Sequence, residues 1–260
     1  MAGTRTRVLM YHGIGAGDSP SRRASRSYDV SLNTLRGHVR ALHDLLPTAP
    51  TLFRGPSSTR GREPLWALTF DDGPASVAPA AELLESLGWR GHFFVVTSWI
   101  DTPGYLTSDA IVDLHRRGHV IGSHSVTHPD PMNRLASARV HDEWQRSVEV
   151  LGSLLHSPVR VAAVPGGAYS TRVATAAAQA GIDVLFTSEP VSRPHVVGGC
   201  EIVGRYAIRA CTSPGDVVRL ATGDRIACMT QWTGWNSRKL AKKAMGGAYV
   251  PVRARLMRTP

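Results

Sequence analysis

The 260-residue chain is 42% hydrophobic and 19% charged, which is ordinary for a soluble globular protein and sufficient for one barrel domain with a full core. Its net charge is +10, but no recognition motif or interleaving of basic and aromatic residues accompanies that charge, so we expect no nucleic-acid binding. No apolar stretch reaches the roughly 18 residues of a membrane span, and none follows the basic start as in a signal peptide, so we expect a cytoplasmic protein.

The segment Gly15–Arg26 is rich in Gly, Ser, Pro and Arg and predicts a loop over the mouth of a barrel. Apolar residues at helical spacing then predict a helix over Asn33–Leu46, and Pro47–Arg62 is predicted as a polar connection.

From Leu65 onward, predicted strands alternate with predicted helices, which indicates a parallel sheet or barrel. The strands are predicted at Leu65–Phe70, His92–Thr97, Val120–Gly122, Val159–Val164, Val184–Thr187 and Ile202–Ala207. The helices are predicted at Val77–Leu87, Ser108–Arg117, Arg134–Leu155, Thr171–Ala180 and Pro214–Ala221.

Basic residues are concentrated at the end of the chain, where residues 225–260 contain eight basic and no acidic residues. Leu240 and Ala244 have helical spacing among Lys and Arg, which fits either a solvated helix or a contact with an anionic membrane surface or an acidic partner. We divide the chain into a barrel domain at 1–237 and a basic tail at 238–260.

Two adjacent carboxylates, Asp71 and Asp72, follow the predicted strand Leu65–Phe70, at the end of a strand where barrel enzymes keep their chemistry. Neighbouring strand-end residues point in different directions, so one can bind a metal while the other takes a proton from an activated water. Taken alone, the pair could equally be a helix cap and a turn acid.

Two histidines, His124 and His128, follow the predicted strand Val120–Gly122. Their spacing of four predicts that both imidazoles lie on the same side of a helical turn and bind one ion. Taken alone, they could be ordinary core or surface histidines. With Asp72 they predict a hydrolytic metal site that has an open position.

These motifs carry a family resemblance. Thr69–Gly73 and His124–His128 resemble the first two motifs of the polysaccharide deacetylases, the NodB-homology enzymes of carbohydrate esterase family 4. Val8–Gly13 resembles the opening strand of the family, and the resemblance extends to about Trp232. It implies an α/β fold, namely a distorted (β/α) barrel of about seven parallel strands.

The resemblance also implies the chemistry of the site. A divalent metal is held by Asp72, His124 and His128, and Asp71 is the general base that helps to remove an acetyl group from a sugar amide. Zinc is the default metal for this ligand set, although cobalt, nickel or manganese would fit it.

The segment Pro165–Tyr169 stands in the position of the third family motif. A glycine pair lets the backbone approach a ligand closely, so the Gly166 amide could donate to the oxyanion of a tetrahedral intermediate; a plain turn is the alternative. Tyr169, Trp232 and Trp235 are predicted around the rim, where aromatic faces suit sugar rings but core packing is equally compatible. We therefore take Pro165, Tyr169 and Trp232 as substrate-binding candidates.

Two departures from the family pattern bear on catalysis. The family commonly has an Arg two residues before this Pro to hold the catalytic Asp, whereas this chain has Ala163, and Arg160 would face the other side of the strand. The resemblance also implies a last barrel strand, in the place that Ile226–Trp232 occupies, with a His near its end that protonates the departing amine. Here Thr230 and Gln231 stand in that place, and neither is a general acid at neutral pH.

Three groups could supply the missing proton. His12 ends the opening strand at the same rim and is our main candidate, although a strand-end His satisfied by backbone hydrogen bonds is an alternative. His195 is a weaker candidate, and Asp71 itself could return the proton that it took.

The function predicted from these residues is a metal-dependent N-deacetylase of an N-acetylated saccharide. In a cytoplasmic protein the substrate would be a biosynthetic intermediate, and a lipid-linked one would suit the basic tail at the inner membrane face. Two alternatives stay open, a hydrolase of a small non-sugar amide or formamide and a non-catalytic barrel that binds a saccharide.

Overall fold

The computed structural model describes residues 5–15, 26–55 and 65–245. Most of the predicted mouth loop Gly15–Arg26 and part of the connection Pro47–Arg62 lie outside these ranges. No helix in the described ranges is long and apolar enough to cross a membrane.

Nine strands form one sheet in the described chain. They are β1 (Thr6–Tyr11), β2 (Leu65–Phe70), β3 (His92–Val95), β4 (Val120–Ser123), β5 (Val161–Ala163), β6 (Val184–Phe186), β7 (His195–Val197), β8 (Cys200–Val203) and β9 (Arg205–Ala207). The order is β7-β8-β6-β5-β4-β3-β2-β1-β9, and every pair is parallel except β7–β8. The predicted α/β fold of mostly parallel strands is confirmed.

Seven α-helices accompany the strands in the described ranges. They are α1 (Leu32–Leu45), α2 (Ala78–Glu85), α3 (Ser108–Arg116), α4 (Ser137–Leu155), α5 (Thr171–Gln179), α6 (Pro214–Thr222) and α7 (Arg225–Met245). Strands β1 to β6 are buried throughout and mostly apolar, because parallel strands are covered on both faces.

The sheet is curved around a common interior. Side chains from seven strands meet in one apolar cluster, which contains Val8, Ala67, Phe94, Val120, Val161, Ala163, Val184, Phe186 and Val203 together with Phe53. The opposite faces of the same strands pack against the helices in two further clusters. This alternation follows from the side-chain period of two along a strand.

One stretch of chain bridges the two ends of the row of strands that runs from β1 to β6. Its first half, β8, pairs with β6, and its second half, β9, pairs with β1. Gly204 alone separates the halves, and a Cβ at this position would meet the carbonyl oxygens of Glu189 and Val191. Only glycine therefore lets the chain pass so close to the backbone after β6.

The predicted last strand Ile226–Trp232 is wrong, because these residues belong to α7. Asp224 caps the helix by accepting a hydrogen bond from the Ala227 amide at 2.9 Å. Ala227 and Cys228 pack on the core while Ile226 is exposed, which is a helical pattern. Consecutive apolar residues do not reveal this pattern in the sequence. The helix continues across the predicted boundary between residues 237 and 238.

The strand β7 is a second element that the sequence analysis missed. His195–Val197 pairs antiparallel with β8 across the Gly198-Gly199 turn. Both glycines have positive φ angles, of 59° and 92°. Paired glycines between two short apolar runs are a signal for a β-hairpin. The alternation of strands and helices in the rest of the chain indicated parallel strands instead.

Candidate metal centre

The carboxyl ends of β2 and β4 bring Asp72, His124 and His128 together, with their ligand atoms all within 4.8 Å of one another. The Oδ1 atom of Asp72 lies 3.3 Å from Nε2 of His124 and 3.5 Å from Nε2 of His128. That oxygen is buried, yet it makes no hydrogen bond of acceptable geometry with the described residues. A carboxylate oxygen and two imidazole nitrogens that converge in this way fit a divalent cation.

The imidazole of His124 is already oriented for metal binding. Its Nδ1 lies 2.8 Å from the carbonyl oxygen of Ala163 in β5, and donation to that carbonyl leaves Nε2 free to act as a ligand. Burial lowers the pKa of His124, but the neighbouring carboxylates Asp71 and Asp72 outweigh burial and raise it. Burial raises the pKa of Asp72, but the three nearby imidazoles outweigh burial and hold that pKa well below its usual range.

The loop from His124 to His128 is not a helical turn, so the predicted reason for the pairing of the two histidines is wrong. Ser125 and His128 have left-handed φ angles of 67° and 53°. Such angles are unfavourable for L-residues and persist only where neighbouring contacts hold them. The His128 amide donates to Oγ of Ser125 at 3.1 Å, which tightens this loop.

Glu143 of α4 holds the same loop from behind and was missed by the sequence analysis. Its buried carboxylate accepts hydrogen bonds from the amides of Val126 and Thr127, both at 2.9 Å, and from the Thr127 hydroxyl at 2.7 Å. Hydrogen bonds to an ionised carboxylate are stronger than those between neutral groups. Glu143 therefore fixes the backbone that presents His128.

Asp71 is held by an arginine that the sequence analysis did not single out. Nη1 and Nη2 of Arg205 lie 2.6 and 2.8 Å from the two carboxylate oxygens of Asp71, and both side chains are almost completely buried. Arg205 also donates from Nε to the Thr187 carbonyl at 3.0 Å. It supplies the contact expected of the missing motif arginine, whereas Arg160 is exposed and pairs with Asp183.

The Arg205 pair also sets the charge of Asp71. Burial raises the pKa of Asp71, but Arg205, together with His124 and His12, outweighs burial and lowers it. Asp71 is therefore ionised at neutral pH, as a proton acceptor must be. The signal for Arg205 was present, since an arginine in the middle of an apolar strand rarely stays buried without a partner.

His12 lies at the same rim. It follows β1, its charge lowers the pKa of both Asp71 and Asp72, and its ring packs 5.2 Å from that of Tyr28. Its Nδ1 is buried and has no hydrogen-bond partner among the described residues. The structure thus brings His12 to the carboxylate pair, whereas His195 lies in β7, 3.2 Å from the hydroxyl of Tyr169.

The third motif lies beside the histidine loop. Pro165 is buried and begins a short 3-10 helix directly after β5, and Gly166 has a left-handed φ of 59°. A Cβ on Gly166 would lie 2.7 Å from the carboxylate of Asp130, two residues beyond His128. Gly166 therefore lies against the segment that follows His128.

The predicted aromatic candidates do not meet at the metal ligands. Tyr169 interacts with His195 and Asn133, and Trp232 lies on an exposed face of α7 rather than at the end of a strand. Their contact with a saccharide stays a prediction.

Two aromatic residues that the sequence analysis missed lie next to the ligands instead. The Trp99 ring stacks on that of His128 at 5.5 Å, and the Tyr105 ring lies 4.8 Å from that of Trp99. Burial and the charge of Asp72 raise the pKa of Tyr105. Trp99 and Tyr105 thus form a partly exposed aromatic wall beside the metal ligands.

Comparisons with known proteins agree with this geometry. A family model described as polysaccharide deacetylase matches residues 58–185. A chitin deacetylase of Colletotrichum lindemuthianum is 38% identical over 76 residues, which cover 28% of this chain and 30% of that protein. A chitooligosaccharide deacetylase of a Bradyrhizobium species is 28% identical over 159 residues, which cover 60% of this chain and 69% of the relative.

The fold comparison extends beyond the matched sequence. A polysaccharide deacetylase from Bacillus cereus aligns with 84% of this chain and 69% of its own, with a TM-score of 0.72 and 20% identity. The chain spans less than a third of the length of the chitin deacetylase that it matches. The range matched by the family model contains the carboxylate pair and both histidines. In sequence and in fold, the chain thus resembles the polysaccharide deacetylases.

Proposed function

We propose that this chain is a metal-dependent N-deacetylase that hydrolyses the acetamido group of an N-acetylated saccharide. The observation that carries the proposal is a single cluster of Asp72, His124 and His128 with the ionised Asp71 next to it, held by Arg205. Zinc is the metal that we propose, because one carboxylate and two imidazoles form a common catalytic zinc site, although cobalt, nickel and manganese accept the same donors. When bound, the cation supplies Lewis acidity to the acyl carbonyl and to a water molecule.

The residues of the chain supply the remaining steps. Asp71 accepts the proton of the attacking water, and Arg205 keeps the Asp71 carboxylate ionised and in one orientation. The Gly166 amide donates to the oxygen on which negative charge develops. His12 delivers a proton to the departing amine, since an amide nitrogen must be protonated as it leaves. The return of the proton from Asp71 is the alternative route.

Arg205 also bears on the alternative of a non-catalytic saccharide-binding barrel. That alternative was supported by the absence of the motif arginine and of the motif histidine. Arg205, which lies on a different strand, makes the contact with Asp71 that the motif arginine would make. A barrel that only binds a saccharide does not need a buried carboxylate held by an arginine. No observation on the structure favours a small non-sugar amide, and a substrate screen separates that alternative.

The first experiment measures metal content and acetate release on the same preparations. We expect about one zinc or cobalt per wild-type chain and loss of the metal in His124→Ala and Asp72→Ala. Asp71→Asn should keep the metal and lose acetate release from chitooligosaccharides or another N-acetylated saccharide. Absence of metal after incubation with zinc and cobalt, or full turnover by Asp71→Asn, would overturn the proposal.

We also propose that the substrate is a biosynthetic saccharide intermediate, lipid-linked and handled in the cytoplasm. The three cysteines support a reducing compartment, because Cys200, Cys211 and Cys228 are all free thiols. Cell fractionation tests the location, and the recovery of the chain from a periplasmic or extracellular fraction would contradict it. Acetate release from lipid-linked, nucleotide-linked and free oligosaccharides, compared side by side, tests the substrate class.

A further inference from the structure

The helix α7 presents an apolar face that no other described element covers. Ile226, Met229, Trp232 and Leu240 are 70%, 61%, 48% and 67% exposed, and they account for four of the seven exposed large hydrophobic residues in the described chain. Their spacing places all four on one side of the helix. The opposite side carries Ala227 and Cys228, which pack on the core.

Positive charge borders this face. Arg225 at the start of α7 and Lys239 near its end are both exposed, and Lys242 and Lys243 follow in the same helix. Residues 225–260 include eight basic residues and no acidic residue. The helix therefore combines an apolar stripe with cations and offers no negative charge of its own.

The combination of apolar side chains with positive charge favours one of two partners for this face, a second copy of the chain or an anionic lipid surface. If a second copy of the chain packed on the same face, two helices that carry basic and no acidic residues would meet, and their repulsion would oppose association. An anionic lipid surface offers negative headgroups to the cations and an acyl boundary to the apolar side chains. Trp232 also suits such a boundary, where tryptophan is enriched.

We propose that α7 docks this chain on an anionic bilayer, with Ile226, Met229, Trp232 and Leu240 inserted at the boundary between headgroups and acyl chains. The helix lies in the interface and does not span the membrane.

The position of α7 relates this surface to the metal site. The Gln231 amide accepts a hydrogen bond from the Ala207 amide at 3.1 Å and donates one to the Ala207 carbonyl at 2.9 Å, at the end of the strand that carries Arg205. Lys239 lies 3.3 Å from Glu189, on the segment after β6. A bilayer bound to α7 would lie beside the rim of the site. The link to a lipid-linked substrate rests on the proposed function, whereas the lipid contact itself does not.

The test measures cosedimentation of the full chain with vesicles of phosphatidylcholine, with and without about one third phosphatidylglycerol. The test variant is Ile226→Gln/Met229→Gln/Leu240→Gln. The control is Leu45→Gln/Val150→Gln, which alters two exposed apolar residues, 65% and 47% exposed, on α1 and α4. We expect binding only to the anionic vesicles, a loss of about tenfold or more in affinity in the test variant, and no change in the control.

Three outcomes would overturn the proposal: no binding by the wild-type chain, equal binding by the test variant, or equal loss in the control. A wild-type dimer that becomes monomeric in the test variant, measured by sedimentation, would assign the face to a second copy. Metal content and acetate release from a soluble substrate are measured on the same samples. If lipid binding fails while metal content and acetate release are intact, the docking proposal is overturned and the proposed deacetylase function is not. If lipid binding is as expected while metal content or acetate release is lost, the proposed function is overturned and the docking surface is not.

Discussion

Two buried charged side chains that lie outside the predicted motifs, Glu143 and Arg205, hold the site residues in place. Glu143 acts on the backbone between the two histidines, and Arg205 acts on the carboxylate of Asp71. Neither residue belongs to the cluster of metal ligands. Each can therefore be substituted while all the candidate metal ligands remain. Any effect of the substitution then reports on how the site residues are positioned.

Glu143→Gln should weaken metal binding while every ligand remains. The amide side chain carries no charge and can offer only one acceptor oxygen to three donors, so the His128 loop loses part of its support. We expect the zinc dissociation constant to rise about 10- to 100-fold, measured by competition with a chromophoric chelator. Glu149→Gln, on the exposed face of the same helix, is the matched control and should bind zinc as the wild type does. Equal affinities in both variants would show that Glu143 does not position His128.

Arg205→Met should cost about 3 to 5 kcal/mol of unfolding free energy, because it leaves the Asp71 carboxylate buried without its partner. The double variant Arg205→Met/Asp71→Asn should be less destabilised than the sum of the single variants by about 2 kcal/mol. Urea unfolding in the presence of a chelator measures both effects without a contribution from the metal.

The exposed pair Arg160–Asp183 provides the control for this cycle. Its nitrogen and oxygen are 2.9 Å apart, but half of the Arg160 side chain is exposed, so Arg160→Met should cost less than about 1 kcal/mol. Additive single effects at Arg205 and Asp71 would mean that the buried pair contributes no coupling.

The cluster of Asp72, His124 and His128 next to Asp71 could be predicted from the sequence, because the residue types and their strand-end positions are local signals. Arg205 could not be paired with Asp71 in the same way, since 134 residues separate them. Glu143 is one acidic residue among several on a predicted amphipathic helix, and the sequence does not show which of them faces inward. Contacts of this kind follow from tertiary packing, which a spacing pattern does not encode.

At the scale of elements, the turns after the strands determine where the chemistry lies. The turn after β5 depends on Gly166, because its φ of 59° is left-handed and the carboxylate of Asp130 occupies the space where a side chain would begin. Gly181, after α5, also has a positive φ, of 84°, but nothing lies within 4 Å of its Cβ position. Both glycines therefore have a left-handed backbone conformation, but only at Gly166 is the space for a side chain already occupied.

Gly166→Ala and Gly181→Ala should each lose about 1 kcal/mol of stability from the left-handed backbone alone. Gly166→Ala should in addition lower kcat about tenfold or more, because the added methyl displaces either the donor amide or the Asp130 side chain next to the histidine loop. Thermal unfolding and acetate release on both variants measure the two effects. Similar kcat values in the two variants would remove Gly166 from the catalytic group.

Most elements were predictable because strands with buried apolar side chains alternate with amphipathic helices. The two errors, the strand β7 and the helix α7, have a common physical cause. Short apolar runs such as Ile226–Trp232 are compatible with either state, and the choice depends on what packs against them. Asp224 as a helix cap and Gly198-Gly199 as a hairpin turn were the local signals that decided the two cases.

At the scale of the whole molecule, the interior also contains a buried histidine, His92 in β3. Its Nε2 accepts a hydrogen bond from the Phe53 amide at 2.9 Å, and its Nδ1 lies 3.1 Å from the Leu68 carbonyl oxygen. Burial lowers the pKa of His92 to about 4. The folded chain therefore keeps this ring neutral at a pH where the unfolded chain protonates it.

The folded chain should lose stability as the pH falls through the range between these two pKa values. A histidine has an unfolded pKa near 6.5, so below that pH the unfolded chain binds the proton and the folded chain does not until about pH 4. We expect about 2 to 3 kcal/mol of unfolding free energy to be lost between about pH 7.5 and 4.5 through His92. Urea unfolding of the metal-free chain measures this loss.

His92→Gln keeps a donor and an acceptor in place of the ring and cannot be protonated in this range. It should therefore show a shallower pH dependence than the wild type, even though its stability near neutral pH differs. His38 and His119 also have pKa values lowered by burial and remain in both proteins, so the difference between the two curves isolates His92. Parallel curves would contradict the assignment.

The stretch of chain that bridges β6 and β1, formed by β8 and β9, also affects the order in which the site is assembled during synthesis. The three metal ligands and Asp71 all lie before residue 129, whereas Arg205 lies in β9, on the far side of Gly204. During synthesis, all three candidate ligands are present in the nascent chain long before Arg205, the partner of Asp71. If the proposed function holds, metal loading can therefore precede catalytic competence, and hydrolysis begins only when the final strand of the sheet has docked.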